Sequence, residues 1–334
     1  MTTTGWNTII GHEWATEALA GAITHDRVGH AYLITGTEHI GKTTLARLFA
    51  QALNCENENK PCGECRACTL IGNGRHPDVR IVEPEVSKRG KKTLKIEAIR
   101  TLQHDLSLTA YEAKYKVAIL PDFDGATIGA SNAFLKTLEE PPANVILLLT
   151  ASDADTLLTT ITSRCRVVNL RPVPTDLIEE SLITRWHVPA EKARLLAHIA
   201  DGRLGWAVNA ATDNAVLINR EEHLTQLRDA LDGNRVARFA IADKLAKKPE
   251  QLPALLQTWL SWWRDATLLA QKEPSPALSN IDEQEQMTTR LPRWEDGAAF
   301  DSLKQTDHAL WALGRNANGR LLMENLLLSY PNSS

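Results

Sequence analysis

Long apolar runs are missing from this chain: nowhere do about 18 consecutive apolar residues occur, which excludes a membrane-spanning helix. The opening residues, MTTTGWNTIIGHEW, also lack the basic-then-apolar layout of a secretory signal, so a cytoplasmic protein without membrane contact is expected. Strong charge of either sign is absent. The balance of 37 Lys and Arg against 41 Asp and Glu gives a formal net charge of -4. That argues against a dedicated nucleic-acid-coating protein, while leaving room for a local basic patch. Internal repeats and low-complexity tracts are lacking too. Cysteine is scarce and unevenly placed: of five, four fall between positions 55 and 68 and the fifth is Cys165. In a chain with no export signal, an odd and clustered set excludes a disulfide framework and reads as a metal site.

What is present suggests a layered protein of two or three domains, for which 334 residues and a hydrophobic fraction of 43% suffice. Apolar periodicity predicts a helix over 13–25 and a short buried strand at 30–34, running into a glycine-rich loop and a helix over 44–53. Further strands are expected at 78–82, 116–120, 145–150 and 167–170, and helices at 95–109 and 129–139. Strands alternating with helices indicate an α/β sheet. After Arg171-Pro172-Val173-Pro174 the strand signal stops and helical period takes over. A second break is expected near 211–215, and a polar, proline-containing stretch at 272–286 interrupts the all-helical remainder.

The loop after the first strand, Gly36-x4-Gly41-Lys42-Thr43, fits the P-loop pattern in full. Its amides would cradle phosphate oxygens, Lys42 would reach the β and γ phosphates, Thr43 would ligate Mg²⁺, and the helix continuing through Thr44 would add its positive dipole end. Bound ATP or ADP is therefore expected. Hydrolysis needs more: a second strand ending in an Asp that orders Mg²⁺, with an adjacent Glu to activate water. Here that strand reads KVAILPDFD at 116–124. With Pro121 at the metal position, Asp122 replaces the water-activating acid. With Asp122 as the metal ligand, Phe123 takes the base position. Either way one carboxylate of the pair is lost, unless another such as Asp124 substitutes.

The cysteines follow Cys55-x6-Cys62-x2-Cys65-x2-Cys68. Four thiolates around Zn²⁺ make a closed, structural site. With four ligands in place, His76 reads as a turn residue before Pro77. Lys88, Arg89, Lys91, Lys92 and Lys95 form a basic run that could touch DNA phosphates. Without interleaved aromatics it reads better as a solvated loop. Trp259, Trp262 and Trp263, at helical spacing, read as core or inter-subunit packing and not as base-stacking platforms.

In order along the chain come HAYLITG, GKTTLARLFAQALNC, the cysteine cluster, HPD at 76–78, SNAFLKTLEEPP at 131–142 and SRC at 163–165. Together they resemble the bacterial DNA polymerase III clamp-loader AAA+ subunits over about residues 6–210, with NANGRLLMENLLL at 316–328 still family-like. The resemblance implies an AAA+ core with a zinc module at 55–68 (1–172), a helical lid (173–212) and a helical collar for oligomerisation (213–334). Two subunit types share these motifs, the gamma/tau motor and the delta prime stator. Counting back eight residues from Asn132 places Asp124 at the end of the motor's acidic string and Pro121 on its metal Asp. The lid arginine of the motor falls on Gly205, with Arg203 displaced by two. The chain length leaves no room for a tau-type tail.

These departures point to the delta prime stator, a subunit without ATPase or polymerase activity of its own. Its partners would be gamma/tau and delta subunits, with the sliding clamp, the polymerase and primed DNA reached through the complex. In the family the Ser-Arg-Cys arginine, here Arg164, enters the neighbour's ATP site; a surface ion pair is the alternative for it. The polar phosphate sensor would lie within Thr150-Ala151-Ser152. Alternatives to the stator are an ATP-hydrolysing motor of gamma/tau type and a free-standing nucleotide-binding regulator.

Overall fold

The structure, a computed structural model, describes residues 5–87, 92–271, 277–315 and 317–331. Three of the basic-run residues (Lys88, Arg89 and Lys91), the first part of the 272–286 stretch and Asn316 of the family-like tail lie outside the described residues. The chain divides into two compact units, residues 1–177 with 202–206, and 178–201 with 207–334. No described helix is long and apolar enough to cross a membrane.

The first unit is built on a five-stranded parallel sheet. Its strands are β1 (Ala31–Thr35), β2 (Val79–Ile81), β5 (Lys116–Leu120), β6 (Val145–Ala151) and β7 (Arg166–Asn169). Between β2 and β5, β3 (Glu85–Val86) and β4 (Lys92–Thr93) form a separate antiparallel pair. The sheet order is β2-β5-β6-β1-β7. β6 lies inside, and all seven of its residues are buried, as a strand covered on both faces requires. One face packs the helix Lys42–Asn54, through Leu45, Phe49 and Leu53, against Tyr32, Ile34, Val117 and Leu148. The other packs Ile99, Leu102, Phe123 and Phe134 against Leu33, Ala118, Leu147 and Leu149. The alternation of side chains along each strand assigns odd and even positions to these two layers.

The helices expected over 95–109 and 129–139 are Ile96–Ser107 and Ile128–Glu139. The latter is capped by Thr127, whose hydroxyl accepts from the Ala130 amide at 3.2 Å. Asp213 caps the helix Asn214–Asp232, while residues 207–334 fall within one compact unit with no division near 211–215. Among its described residues, the regular structure of the second unit is all helical. Its core centres on Trp259, Trp262 and Trp263, all fully buried. Trp262 and Trp263 meet edge-on at 5.0 Å, and Trp263 lies 5.0 Å from Tyr330 and 5.3 Å from Trp294. The tryptophans are thus core residues of this unit.

The HPD sequence ties the sheet together. The buried Asp78 carboxylate accepts amides from Tyr111 and Glu112, both at 2.8 Å, and Ala113 at 2.9 Å. It thereby holds the approach to β5 beside the start of β2. His76 is buried, its Nδ1 accepting from the Asp78 amide at 3.1 Å, so it acts within the turn. Burial alone would raise the Asp78 pKa, but the three amides outweigh it and hold the carboxyl below its ordinary value. Asp78→Ala leaves those amides unpaired and is expected to cost about 2–4 kcal/mol in denaturant unfolding. Because the folded-state pKa is depressed, the wild-type advantage is present above the unfolded carboxylate value of about 3.9. It should fade as the pH falls below that. A difference that is negligible at neutral pH, or that grows on acidification, would contradict this role.

Candidate functional site

Parallel pairing brings the C-terminal ends of β1, β6 and β5 to one edge of the sheet. Thr35 stands opposite Ala151, and Leu120 opposite Leu149. Everything that follows these ends converges on a cavity of about 400 Å³, lined by Glu38, Lys42, Lys92, Asp122, Asp124, Gly125 and Ser152. Clefts beyond the carboxyl ends of parallel strands are the usual ligand sites of such sheets.

The loop after β1 is shaped by two glycines. Gly36 has φ 143°, and a Cβ there would lie 2.9 Å from the Leu170 carbonyl. Gly41, at φ 112°, is the N-cap of the helix Lys42–Asn54. Both are backbone conformations that a side chain would strain. Lys42, the first residue of that helix, lines the cavity and brings the helix's positive dipole end beside it, while Gly36, Gly41, Thr43 and Thr44 are not among the lining residues. Thr43 is half-buried and Thr44 exposed on its first turn. Lys42 is buried, its Nζ donating to the carbonyls of Gly36 at 2.7 Å and Thr37 at 2.9 Å. Burial lowers its pKa, opposed by the nearby charges of Asp122, Asp124 and Glu38. A buried ammonium and a helix N-terminus at one cavity can receive a polyphosphate.

The remaining lining residues are mostly acidic, and each carboxylate already has a donor. Pro121, buried at the end of β5, offers no side-chain oxygen. Asp122 turns the chain in the left-handed region at φ 49°, its amide donating to Thr150 Oγ1 at 3.0 Å. Its carboxylate meets Lys92 Nζ at 2.8 Å, and the same ammonium lies 2.9 Å from Glu38. Asp124 accepts from the Ser152 hydroxyl at 2.6 Å and amide at 3.2 Å. Within 150–152, Ser152 lines the cavity and the Thr150 hydroxyl oxygen accepts the Asp122 amide. Lys92 escaped the sequence reading, which put it in a solvated basic loop. Its partners Glu38 and Asp122 lie 54 and 30 residues away, so no local pattern announces them.

Gly205, where the motor family's lid arginine would fall, makes a backbone contact. Its amide donates to the His39 carbonyl at 2.9 Å, and a Cβ would sit 2.6 Å from that oxygen. A side chain of any kind at 205 would push on the phosphate loop. Arg203 instead stacks over Trp206, 5.6 Å from the ring.

Arg164 follows the short helix Thr159–Thr162 and is not among the cavity-lining residues. Its guanidinium donates to the Thr160 carbonyl at 2.9 Å and pairs with Glu139 at 2.9 Å, with the side chain 36% exposed. A pair this exposed is weak and can be exchanged for another anion.

The four clustered cysteines converge at the end of the phosphate-loop helix, their sulfurs all within 4.8 Å of one another. Cys55 follows that helix directly, and Cys65 caps the helix Arg66–Gly72. The Cys62–Cys68 and Cys55–Cys65 sulfurs are 4.0 and 3.9 Å apart. Tetrahedral Zn²⁺ with bonds of about 2.3 Å needs edges of roughly 3.8 Å, so the donor set fits. The Cys65 and Cys68 amides donate to Cys62 and Cys65 sulfur at 3.3 and 3.5 Å. Amides around Cys62 lower its thiol to about 6, while burial raises those of Cys55 and Cys68. Such a cluster could bind zinc. Stoichiometric zinc is expected in protein purified without chelator, and Cys65→Ser should lower both zinc content and melting temperature. Zinc-free protein that melts unchanged in the variant would remove the metal assignment.

Residues 11–174 match the family described as DNA polymerase III, delta subunit. Over 232 residues the chain is 34% identical to DNA polymerase III subunit tau of Escherichia coli K12, covering 67% of this chain and 35% of that protein. It is 36% identical to subunit delta' of Bacillus subtilis over 184 residues, 55% of this chain and 54% of the relative. Subunit delta' of Pseudomonas aeruginosa matches at 38% over 158 residues, 47% and 46% of the two chains. The match thus spans only about a third of the tau relatives. Among solved structures, a DNA polymerase III gamma subunit-related protein of Thermotoga maritima aligns at 21% identity with a TM-score of 0.47, covering 93% of this chain and 97% of that one. With its P-loop at the edge of a parallel sheet and relatives named both delta' and tau, the chain belongs to the DNA polymerase III clamp-loader subunit family.

Proposed function

We propose that this chain is the delta prime stator of a bacterial clamp loader, a subunit that works on a neighbour's nucleotide and not through hydrolysis of its own. The carrying observation is the acidic wall of its phosphate site. Pro121 supplies no oxygen, and Asp122 is held by Lys92 at 2.8 Å. Asp124 is tied to Ser152. No carboxylate pair is left to order a metal and activate water together, as hydrolysis requires. Gly205 supports the same reading, since its backbone contact with His39 excludes a lid arginine.

In this reading residues 1–172 form the AAA+ core with a structural zinc at Cys55, Cys62, Cys65 and Cys68. Residues 173–212 are the lid, and 213–334 the collar that assembles with gamma/tau and delta subunits. Gly36, Gly41, Lys42, Thr43 and Thr44 hold ATP or ADP. Arg164 exchanges Glu139 for the γ phosphate of a neighbouring motor subunit, which then helps to place the sliding clamp on primed DNA. Such partners imply a cytoplasmic location. The competing reading, a gamma/tau-type motor, is favoured by the intact P-loop and by the tau relatives.

The two readings separate in a reconstituted complex. Arg164→Ala should leave assembly intact and lower ATP turnover at the one dependent site by about a thousandfold or more, the usual worth of such a finger. Total turnover then falls only in part, while clamp loading is severely impaired. Lys42→Ala in the same subunit should be much milder. If Lys42→Ala proves the more damaging of the two, the motor reading holds instead.

A further inference from the structure

Lys92 is placed by its main chain. β4 carries it, and the next residue but one is pinned beside the turn that holds the acids: the Leu94 amide donates to the Gly125 carbonyl at 2.9 Å, and the Thr127 amide to the Leu94 carbonyl at 3.0 Å. At Gly125 a Cβ would lie 3.0 Å from the Lys92 carbonyl, so the two backbones are in close approach. Held there, the ammonium lines the cavity between Asp122 at 2.8 Å and Glu38 at 2.9 Å. Among the described residues these are its two partners, and an ammonium has three donors, which leaves one N–H for a ligand.

A magnesium ion beside a P-loop takes hard oxygen ligands in near-octahedral array, and beyond the phosphates, waters and the loop hydroxyl it usually draws on one or two carboxylates. The carboxylates present do not fit that demand. Asp122 and Glu38 are occupied by a cation already, and Asp124 is engaged by the Ser152 hydroxyl and amide. A divalent ion at Asp122 would have to sit against the Lys92 ammonium, a like charge at contact distance.

We propose that Lys92 is a tethered cation standing in the place of the divalent ion, so that this site takes a nucleoside di- or triphosphate without metal. The proposal rests on the reading of the cavity as a nucleotide site. Lys42 contacts the phosphates from the loop side, and Lys92 offers its remaining N–H beside Asp122. The same ammonium, by pairing with Asp122, keeps the first acid after β5 from recruiting a metal.

Two measurements on the full-length, zinc-loaded chain test this. The first uses Mn²⁺ alone, followed by electron paramagnetic resonance. Lys92→Met should acquire a Mn²⁺ site at least about tenfold tighter than any in the wild type, and Lys92→Met combined with Asp122→Asn should lose it. Because the Lys92 side chain is 39% exposed, the substitution should not unfold the protein, which its melting temperature checks. The second titrates ADP in chelator and in excess Mg²⁺. Wild-type affinity should differ by less than about threefold between the two, while Lys92→Met should favour Mg²⁺ by about tenfold. A wild type that needs Mg²⁺ for ADP, with no Mn²⁺ site gained in Lys92→Met, overturns the proposal while leaving the nucleotide reading standing. A gained Mn²⁺ site without ADP binding in any form supports the tethered cation and overturns metal-free nucleotide binding together with the nucleotide reading.

Discussion

The parallel pairing of β1 with β6 and of β6 with β5 is the constraint from which the site follows. Parallel strands end together, so the phosphate loop after Thr35, the acidic turn after Leu120 and the polar residues after Leu149 are delivered to one edge. The buried apolar faces on either side of β6 fix the register, since a one-residue slip would turn Leu147 and Leu149 out of one layer and Ile146 and Leu148 out of the other.

Charge at that edge is divided between two lysines and several carboxylates. Lys42 stands at a helix N-terminus, and the carboxylates are each committed to a donor. Glycine does steric work at three places around it. Gly36 lets the loop pass the Leu170 carbonyl, Gly125 lets Lys92 approach, and Gly205 lets the helix Leu204–Thr212 start against His39. The arginine expected to act on a neighbour lies away from this cavity, on an exposed and exchangeable pair with Glu139.

The α/β class was legible because periodicity and burial agree strand by strand: β5 occupies the expected 116–120, and β6 extends the expected 145–150 by one residue. The P-loop and the cysteine spacing were legible because each is a short contiguous pattern whose geometry is local. Three features were not. The β3–β4 pair is only two residues per strand, too short for alternation to register. The Lys92 bridge joins residues far apart in sequence, so the basic run around it looked like a solvated loop. The role of Gly205 was read as a lost arginine, while its tight backbone contact with His39 became visible only in three dimensions. Of the candidate phosphate sensors the sequence offered three without a choice; Ser152 lines the cavity with its hydroxyl donating to Asp124, and the Thr150 oxygen accepts the Asp122 amide.

The central claim, that this chain holds nucleotide without hydrolysing it, is met most directly by following ATP bound to the isolated, zinc-loaded chain. Binding and product formation are to be measured in the same sample. The account predicts nucleotide retained at up to one per chain, lost in Lys42→Ala, with release of ADP no faster than in buffer. Steady turnover by the isolated chain that disappears in Lys42→Ala would contradict it.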